Sequence, residues 1–286
     1  MRSCLLLLVC LWSANSAPAY SQLPITAAAD LPAFFYAGDQ PKLQFVLQNS
    51  STQEITGNLQ LELFDAVNKQ PVDGWFFNQL ANQYFTIAPG ERSVVRFPLT
   101  IPSLYTGKVD WQLTVRVDSA QQQISGHVDI KEASRADGEE QENHVTVKGG
   151  VRLLRSNGQP SKSEAEPPIT PFSTEPIGQP VVLRLTISLT EKMDSCRVLL
   201  PLSAGLQPSG GRVQLKKGKA GLLVQKSLSD TAISLTLYQL VPGLYEWDYK
   251  FTTRYPGEFW VPGCRLLLFN LARRTYRTNS TTLSID

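Results

Sequence analysis

Apolar and polar residues alternate with a period of two along most of this chain. Leu59, Leu61 and Leu63 alternate with Asn58, Gln60 and Glu62. Val95, Phe97, Leu99 and Ile101 alternate with Arg96, Pro98 and Thr100. Trp111, Leu113, Val115 and Val117 alternate with Gln112, Thr114 and Arg116. The second half repeats the pattern in Leu183, Leu185, Ile187 and Leu189, and again in Tyr245, Trp247, Tyr249 and Phe251. Each run predicts a strand with one buried and one wet face, as in antiparallel sandwiches. Turn signals separate the runs at Gly38-Asp39, Asn49-Ser50-Ser51, Pro89-Gly90, Ser209-Gly210-Gly211, Pro242-Gly243 and Pro256-Gly257. No segment sustains a helical period. The reading is an all-β chain of two antiparallel β-sandwich domains.

A composition break divides the pattern. Residues 156–176 carry Pro160, Pro167, Pro168, Pro171 and Pro176 among Ser and Glu. Proline lacks the ladder's N–H donor, so this stretch reads as a linker. The expected organisation is a first sandwich over 31–155, a linker over 156–176 and a second sandwich over 177–286. The start of the chain reads differently. Met1-Arg2 is followed by a short apolar run, Cys4 to Trp12, and then by small and polar residues up to Ala19-Tyr20-Ser21. That order matches a secretory signal peptide over 1–21, with Gln22 as the mature start. No other stretch is apolar enough to span a bilayer. The expectation is an exported protein of the periplasm, cell envelope or extracellular space.

Cysteine usage follows from that expectation. Cys4 and Cys10 fall within the signal, leaving Cys196 and Cys264 in an oxidising compartment. They could form a disulfide, stabilising by about 4 kcal/mol on chain-entropy grounds; the alternative is two buried free thiols.

Charge and chemistry narrow the function classes. The 27 Lys and Arg nearly balance the 25 Asp and Glu, so no electrostatic footprint for nucleic acid exists. Of the two histidines, His127 lies two residues from Asp129, with no serine elbow to complete a hydrolase triad, and His144 has no partner motif. No phosphate loop or close-spaced zinc ligand set occurs. The acidic run Asp137, Glu139, Glu140 and Glu142 lacks the alternating frame of a calcium loop and reads as a solvated loop. Gly210-Gly211 ahead of Lys216 and Lys217 reads as a hairpin turn with a solvated tip. Asn49 and Asn279 stand in glycosylation sequons, which matter only in a eukaryotic secretory path. No catalytic residue and no cofactor is assigned. Trp75, Phe76 and Phe77 form an apolar run that is either core or an exposed contact patch. The aromatics of Tyr255 to Trp260 are expected to pack inward.

Several stretches resemble a known family. The first half contains Phe34 to Asp39 (FFYAGD), Phe45 to Ser51 (FVLQNSS), Leu59 to Asp73 (LQLELFDAVNKQPVD), Phe85 to Gly90 (FTIAPG) and Phe97 to Pro102 (FPLTIP). These resemble the macroglobulin-type sandwich that precedes the thioester dome in bacterial alpha-2-macroglobulins. The acidic turn at Asp137 to Glu140 is similar to one that follows in that family. Leu199 to Leu206 (LLPLSAGL), Val241 to Tyr249 (VPGLYEWDY), Thr253 to Pro262 (TRYPGEFWVP) and the strand Ser280 to Ile285 resemble the family's last macroglobulin domain. The run Gly263 to Arg273 departs from the family pattern. The dome and its Cys-Gly-Glu-Gln thioester are absent from this sequence, and the proline-rich stretch stands in their place. The resemblance therefore implies a non-enzymatic, non-covalent role: binding a protease or another macroglobulin-family protein, linked to endopeptidase inhibition. The alternative is a spacer or adhesion module of two sandwiches.

Overall fold

The computed structural model describes residues 23–133, 145–146, 153–155, 174–217, 223–229, 231–268, 275–278 and 280–286. The expected signal peptide, His144, Asn279, the acidic run and residues 156–173 lie outside them. The described residues are strands and turns, with no helix among them.

The first half is built from eight strands. They are β1 (Ile25–Asp30), β2 (Phe34–Tyr36), β3 (Gln40–Asn49), β4 (Ile55–Asp65), β5 (Asn82–Ile87), β6 (Arg92–Pro98), β7 (Gly107–Val117) and β8 (Ala120–Lys131). One sheet runs β1-β3-β6; the other runs β2-β8-β7-β4-β5. All pairs are antiparallel except β2 with β8. The alternation read from sequence places the core. Leu59, Leu61, Leu63, Leu113 and Val115 are buried, Asn58, Gln60, Glu62 and Gln112 between and beside them are partly exposed, and Thr114 is covered as well. Phe45 of β3 meets Trp111 of β7 edge to face at 5.4 Å and Phe97 of β6 at 5.7 Å, closing the two sheets over one another.

The second half follows with β9 (Val145–Thr146), β10 (Leu153–Arg155), β11 (Thr174–Glu175), β12 (Pro180–Leu189), β13 (Met193–Pro201) and β14 (Leu206–Lys217). It continues with β15 (Leu223–Leu228), β16 (Ala232–Leu240), β17 (Gly243–Thr253), β18 (Gly257–Val261), β19 (Arg265–Leu268), β20 (Thr275–Arg277) and β21 (Thr281–Ile285). One sheet is β10-β12-β17-β14, with β9 also on β12; another is β15-β16-β13-β19-β20. On the first, Arg184 of β12 stands opposite Asp248 of β17 and clasps it with bonds of 2.7 and 2.8 Å. Strands β18, β21 and β11 form a third piece, which joins β3.

Three features depart from the sequence reading. Residues 145–146 and 153–155, grouped there with the first sandwich, pair with β12 of the second half. Gly210-Gly211 is no hairpin turn: β14 runs straight through it. The ladder with β17 shifts register between Pro208 and Gly210, and Gly210 takes a φ of 127°. This is a β-bulge, which wants the same glycine freedom as a turn. Third, the two halves are joined by a sheet as well as in sequence. Strand β18 adds to β3 through Gly257↔Pro41 and Glu258↔Gln40, so one sheet crosses from half to half.

Replacing Leu61, which is fully buried, by Ala should cost about 2–5 kcal/mol through lost burial and a residual cavity. Val67→Ala, at an exposed turn, should stay within about 0.5 kcal/mol. Urea unfolding of both variants checks the pair.

Candidate functional site

The loop from Pro71 to Leu80 leaves β4 and is tied back to it. Phe64 bridges Pro71, and Val72 N–H donates to Leu63 O at 2.9 Å. The Asp73 carboxylate accepts Leu63 N–H at 3.2 Å. Asn78, itself buried, donates its amide to Asp73 Oδ1 at 2.8 Å and Leu61 O at 3.0 Å. Phe76 is the apolar anchor: it is 2% exposed and packs on Tyr105 at 5.1 Å. Thr100 N–H holds Phe76 O at 2.9 Å. On this footing stand Trp75 and Phe77, 67% and 59% exposed, with Leu80 beside them at 52%. The run Trp75, Phe76 and Phe77 is thus divided between surface and core. Phe77 has a φ of 50°, the left-handed region, which a bulky residue occupies only when its surroundings impose it.

Phe77 and Leu80 border a crevice of about 620 Å³ between the halves. Its near wall is Gln79, Leu99 and Thr100; its far wall is Gly257, Glu258, Ser284 and Asp286. The floor is the seam where β18 meets β3. Gly257, with a φ of 135°, is required there, since a Cβ would stand 2.5 Å from Gln40 O. Lys42 Nζ reaches Asp286 Oδ1 at 2.9 Å across the seam, and Arg254 Nη2 reaches Asp30 Oδ1 at 3.1 Å. Both pairs are exposed, so each contributes little. Phe35 stacks on Phe259 with centroids 6.4 Å apart, so the aromatics of Tyr255 to Trp260 do pack inward, but onto the other half.

Asp39 is the polar centre of this seam. It is 1% exposed. Its Oδ2 accepts Tyr36 N–H at 2.8 Å and its Oδ1 accepts Trp260 N–H at 2.6 Å, one donor from each half. Burial pushes its carboxyl up to about 7, against the pull of those two N–H bonds.

His127 lies on the exposed face of β8, opposite Asp110 of β7. A shallow depression of about 510 Å³ also gathers Ser125 and Lys69 there. Asp110 is bound to Lys69 at 2.6 Å, and Asp129 faces Lys108 at 3.8 Å. Nothing there orders a nucleophile against a base. Among the described residues no three His, Cys, Asp or Glu side chains converge to hold a metal. Asn49 is buried, with its amide donating to Gln53 O, Ile87 O and Ala88 O, so it is closed to glycosylation.

The disulfide between Cys196 and Cys264 is not formed; both are buried free thiols. Cys196 faces Leu268, whereas Cys264 precedes Arg265, the partner of Leu199. About four residues of strand rise, roughly 13 Å, separate them, well beyond bridging distance. Burial pushes both thiols up to about 12, which makes them inert.

No protein-family model matches the chain, and no curated protein matches it in sequence. Solved structures do match in shape. A fragment of Escherichia coli alpha-2-macroglobulin, running from domain MG7 to the C-terminus, superposes with a TM-score of 0.65 at 7% identity. The match covers 92% of this chain and 99% of that one. Salmonella alpha-2-macroglobulin reacted with methylamine gives 0.62 at 8% identity, over 92% of this chain and 40% of that one. A point mutant of the Salmonella protein gives 0.63 at 7%, over 92% and 41%. The chain has the fold of the C-terminal region of bacterial alpha-2-macroglobulins. It spans less than half of the Salmonella chains, and the likeness at this identity is one of fold. The macroglobulin stretches read in the sequence fall where this fold puts its turns: Asp39, Asn49, Asp65 and Asp73 each bind backbone groups there.

Both thiols should resist Ellman's reagent in the native protein. In denaturant without reductant, peptides carrying Cys196 and Cys264 should both alkylate; recovery of a peptide pair linked through them would contradict the free thiols.

Proposed function

We propose that this chain is a non-enzymatic, macroglobulin-like module of the cell envelope that binds a protein partner without covalent capture. The proposed partner is an endopeptidase or another macroglobulin-family protein, and the role is linked to endopeptidase inhibition. The observation that carries this reading is the aromatic ridge. Trp75, Phe77 and Leu80 stand exposed on a loop whose backbone is pinned by Asp73 and Asn78. Exposed aromatics on a rigid footing lose little entropy on contact, and buried aromatics dominate protein interfaces. The left-handed Phe77 supports the same reading, since strain of this kind collects at functional surfaces. The macroglobulin fold supplies the family context in which such a ridge would meet a protease or a related chain. We further propose that the chain is exported and that residues 1–21 are its signal.

A second reading, a spacer of two sandwiches, is favoured by the seam. A shared sheet and the Asp39 clasp fix the halves against each other, as a strut requires.

The test is capture of partners from envelope extract by immobilised 22–286, compared with Trp75→Ala and Phe77→Gly. Partners that are endopeptidases or macroglobulins, lost from both variants, support the ridge. Equal capture by all three chains refutes it, and no specific capture favours the strut. Phe77→Gly should keep its stability within about 1 kcal/mol of the parent, because relief of the left-handed strain offsets the lost contacts. Thermal unfolding checks that the binding loss is not a folding loss.

A further inference from the structure

The seam carries a carboxylate for which the fold provides no countercharge. Asp39 sits in the turn between β2 and β3, sealed from water, and joins the halves by accepting Trp260 N–H from β18. Among the described residues no cation forms an ion pair with it. None of the charged groups on the elements around it pairs with it. Lys42 on β3 is drawn to Asp286. Lys131 on β8 lies 3.7 Å over the Phe34 ring. Arg265 on β19 acts on the Tyr36 phenol. Glu258 on β18 is exposed and adds a like charge, and the Tyr36 phenol is itself raised to about 12 by burial. On β18 the indole N–H of Trp260 is also buried without a hydrogen-bond partner. The Asp39 carboxylate is therefore buried with hydrogen bonds but without a countercharge.

We propose that Asp39 is a proton-operated latch: with its carboxyl neutral the two halves stay docked, and with it ionised the seam opens to let water reach it. The neutral acid keeps lone pairs for both N–H donors and sheds the cost of a buried charge. The sign follows from linkage. In the docked state burial holds the group near 7; with the seam open it meets water and returns to its ordinary 3.8. The open form therefore releases its proton first. Between those two values opening gains about tenfold per pH unit, about a thousandfold in all, and levels off above 7. Docking is favoured on the acid side and weakened on the neutral side, opposite to a carboxylate stabilised by a cation.

Hydrogen exchange of the whole chain from pH 4 to 8 tests this. The readout is the β18 peptide containing Trp260, with each rate divided by the intrinsic rate at that pH. The expected result is protection at Trp260 falling about a thousandfold from pH 4 to 7 and then levelling. Protection at Leu61 and Leu113 inside the first half should hold. Asp39→Asn, the same shape without the proton, should give a flat profile. Constant Trp260 protection in the parent chain from pH 4 to 7 overturns the proposal, as does an equal fall in Asp39→Asn. If that variant does not fold, the parent profile decides: a fall shared by Leu61 and Leu113 is general unfolding and overturns the latch.

Discussion

A single strand, Gln40–Asn49, holds the molecule together. Its edge opposite β6 is divided, with β1 taking residues 44–49 and β18 taking residues 40–41. A backbone edge can be shared this way only where the incoming strand has no side chain in the path, and Gly257 meets that condition. The first half thus leaves part of its own sheet open, and the second half supplies the missing pairing. An unpaired edge is a liability that proteins cover, and here the cover is the other half of the chain. Lys42 N–H donating to Pro256 O at 3.0 Å, the Asp39 clasp and the Phe35–Phe259 stack all crowd around this short stretch of ladder.

The residues that gave the sequence its family resemblance turn out to perform one kind of task. Asp39 binds the N–H groups of Tyr36 and Trp260. Asn49 binds three carbonyls at the end of β3. Asp65 binds Val67 N–H and Asn68 N–H and receives the Tyr105 hydroxyl, contacts that hold its carboxyl below the usual range. Asp73 binds Leu63 N–H. Each satisfies backbone groups where a strand ends and its ladder cannot. Core positions accept many apolar residues of similar volume, whereas a buried turn tolerates few side chains. A shared fold at 7–8% identity is consistent with that freedom in the core.

The strands were legible because period two is a local signal. Leu59, Leu61 and Leu63, or Tyr245 to Phe251, announce a buried face without reference to any partner. Partnership is not local. Nothing in Val145-Thr146 or Leu153–Arg155 tells which strand they will meet, and they meet β12. Gly210-Gly211 allows a positive φ for a bulge as readily as for a turn, and the register of β17 decides between them. Cys196 lies on β13 and Cys264 just ahead of its neighbour β19, but the offset that keeps them apart is a register, which sequence does not carry. Phe76 was inseparable from Trp75 and Phe77 on paper, because three consecutive aromatics match neither period. The left-handed turn at Phe77 that divides them is a backbone property that the sequence does not carry. Gly38-Asp39 marks a turn in the sequence, but one of the two N–H groups its carboxylate accepts comes from Trp260, far along the chain.

Ridge and seam are one structure seen from two sides. Phe77 and Leu80 line the near side of the crevice, and β18 and β21 line the far side. The width of that crevice is therefore set by how β18 sits on β3, and not by either half alone. The near wall is rigid, since its loop is pinned to β4 through Asp73 and Asn78. The far wall is held by two ladder pairings, the Lys42 N–H bond to Pro256 O, the Phe35–Phe259 stack, two exposed ion pairs and one buried carboxyl. Of these, the exposed pairs contribute little, and the ladder is short. The carboxyl is the contribution that the proposed latch makes pH-dependent. A molecule without catalytic groups at this site can still present a variable surface under the proposed latch, because the position of one wall relative to the other is tied to a buried carboxyl that has hydrogen bonds but no countercharge.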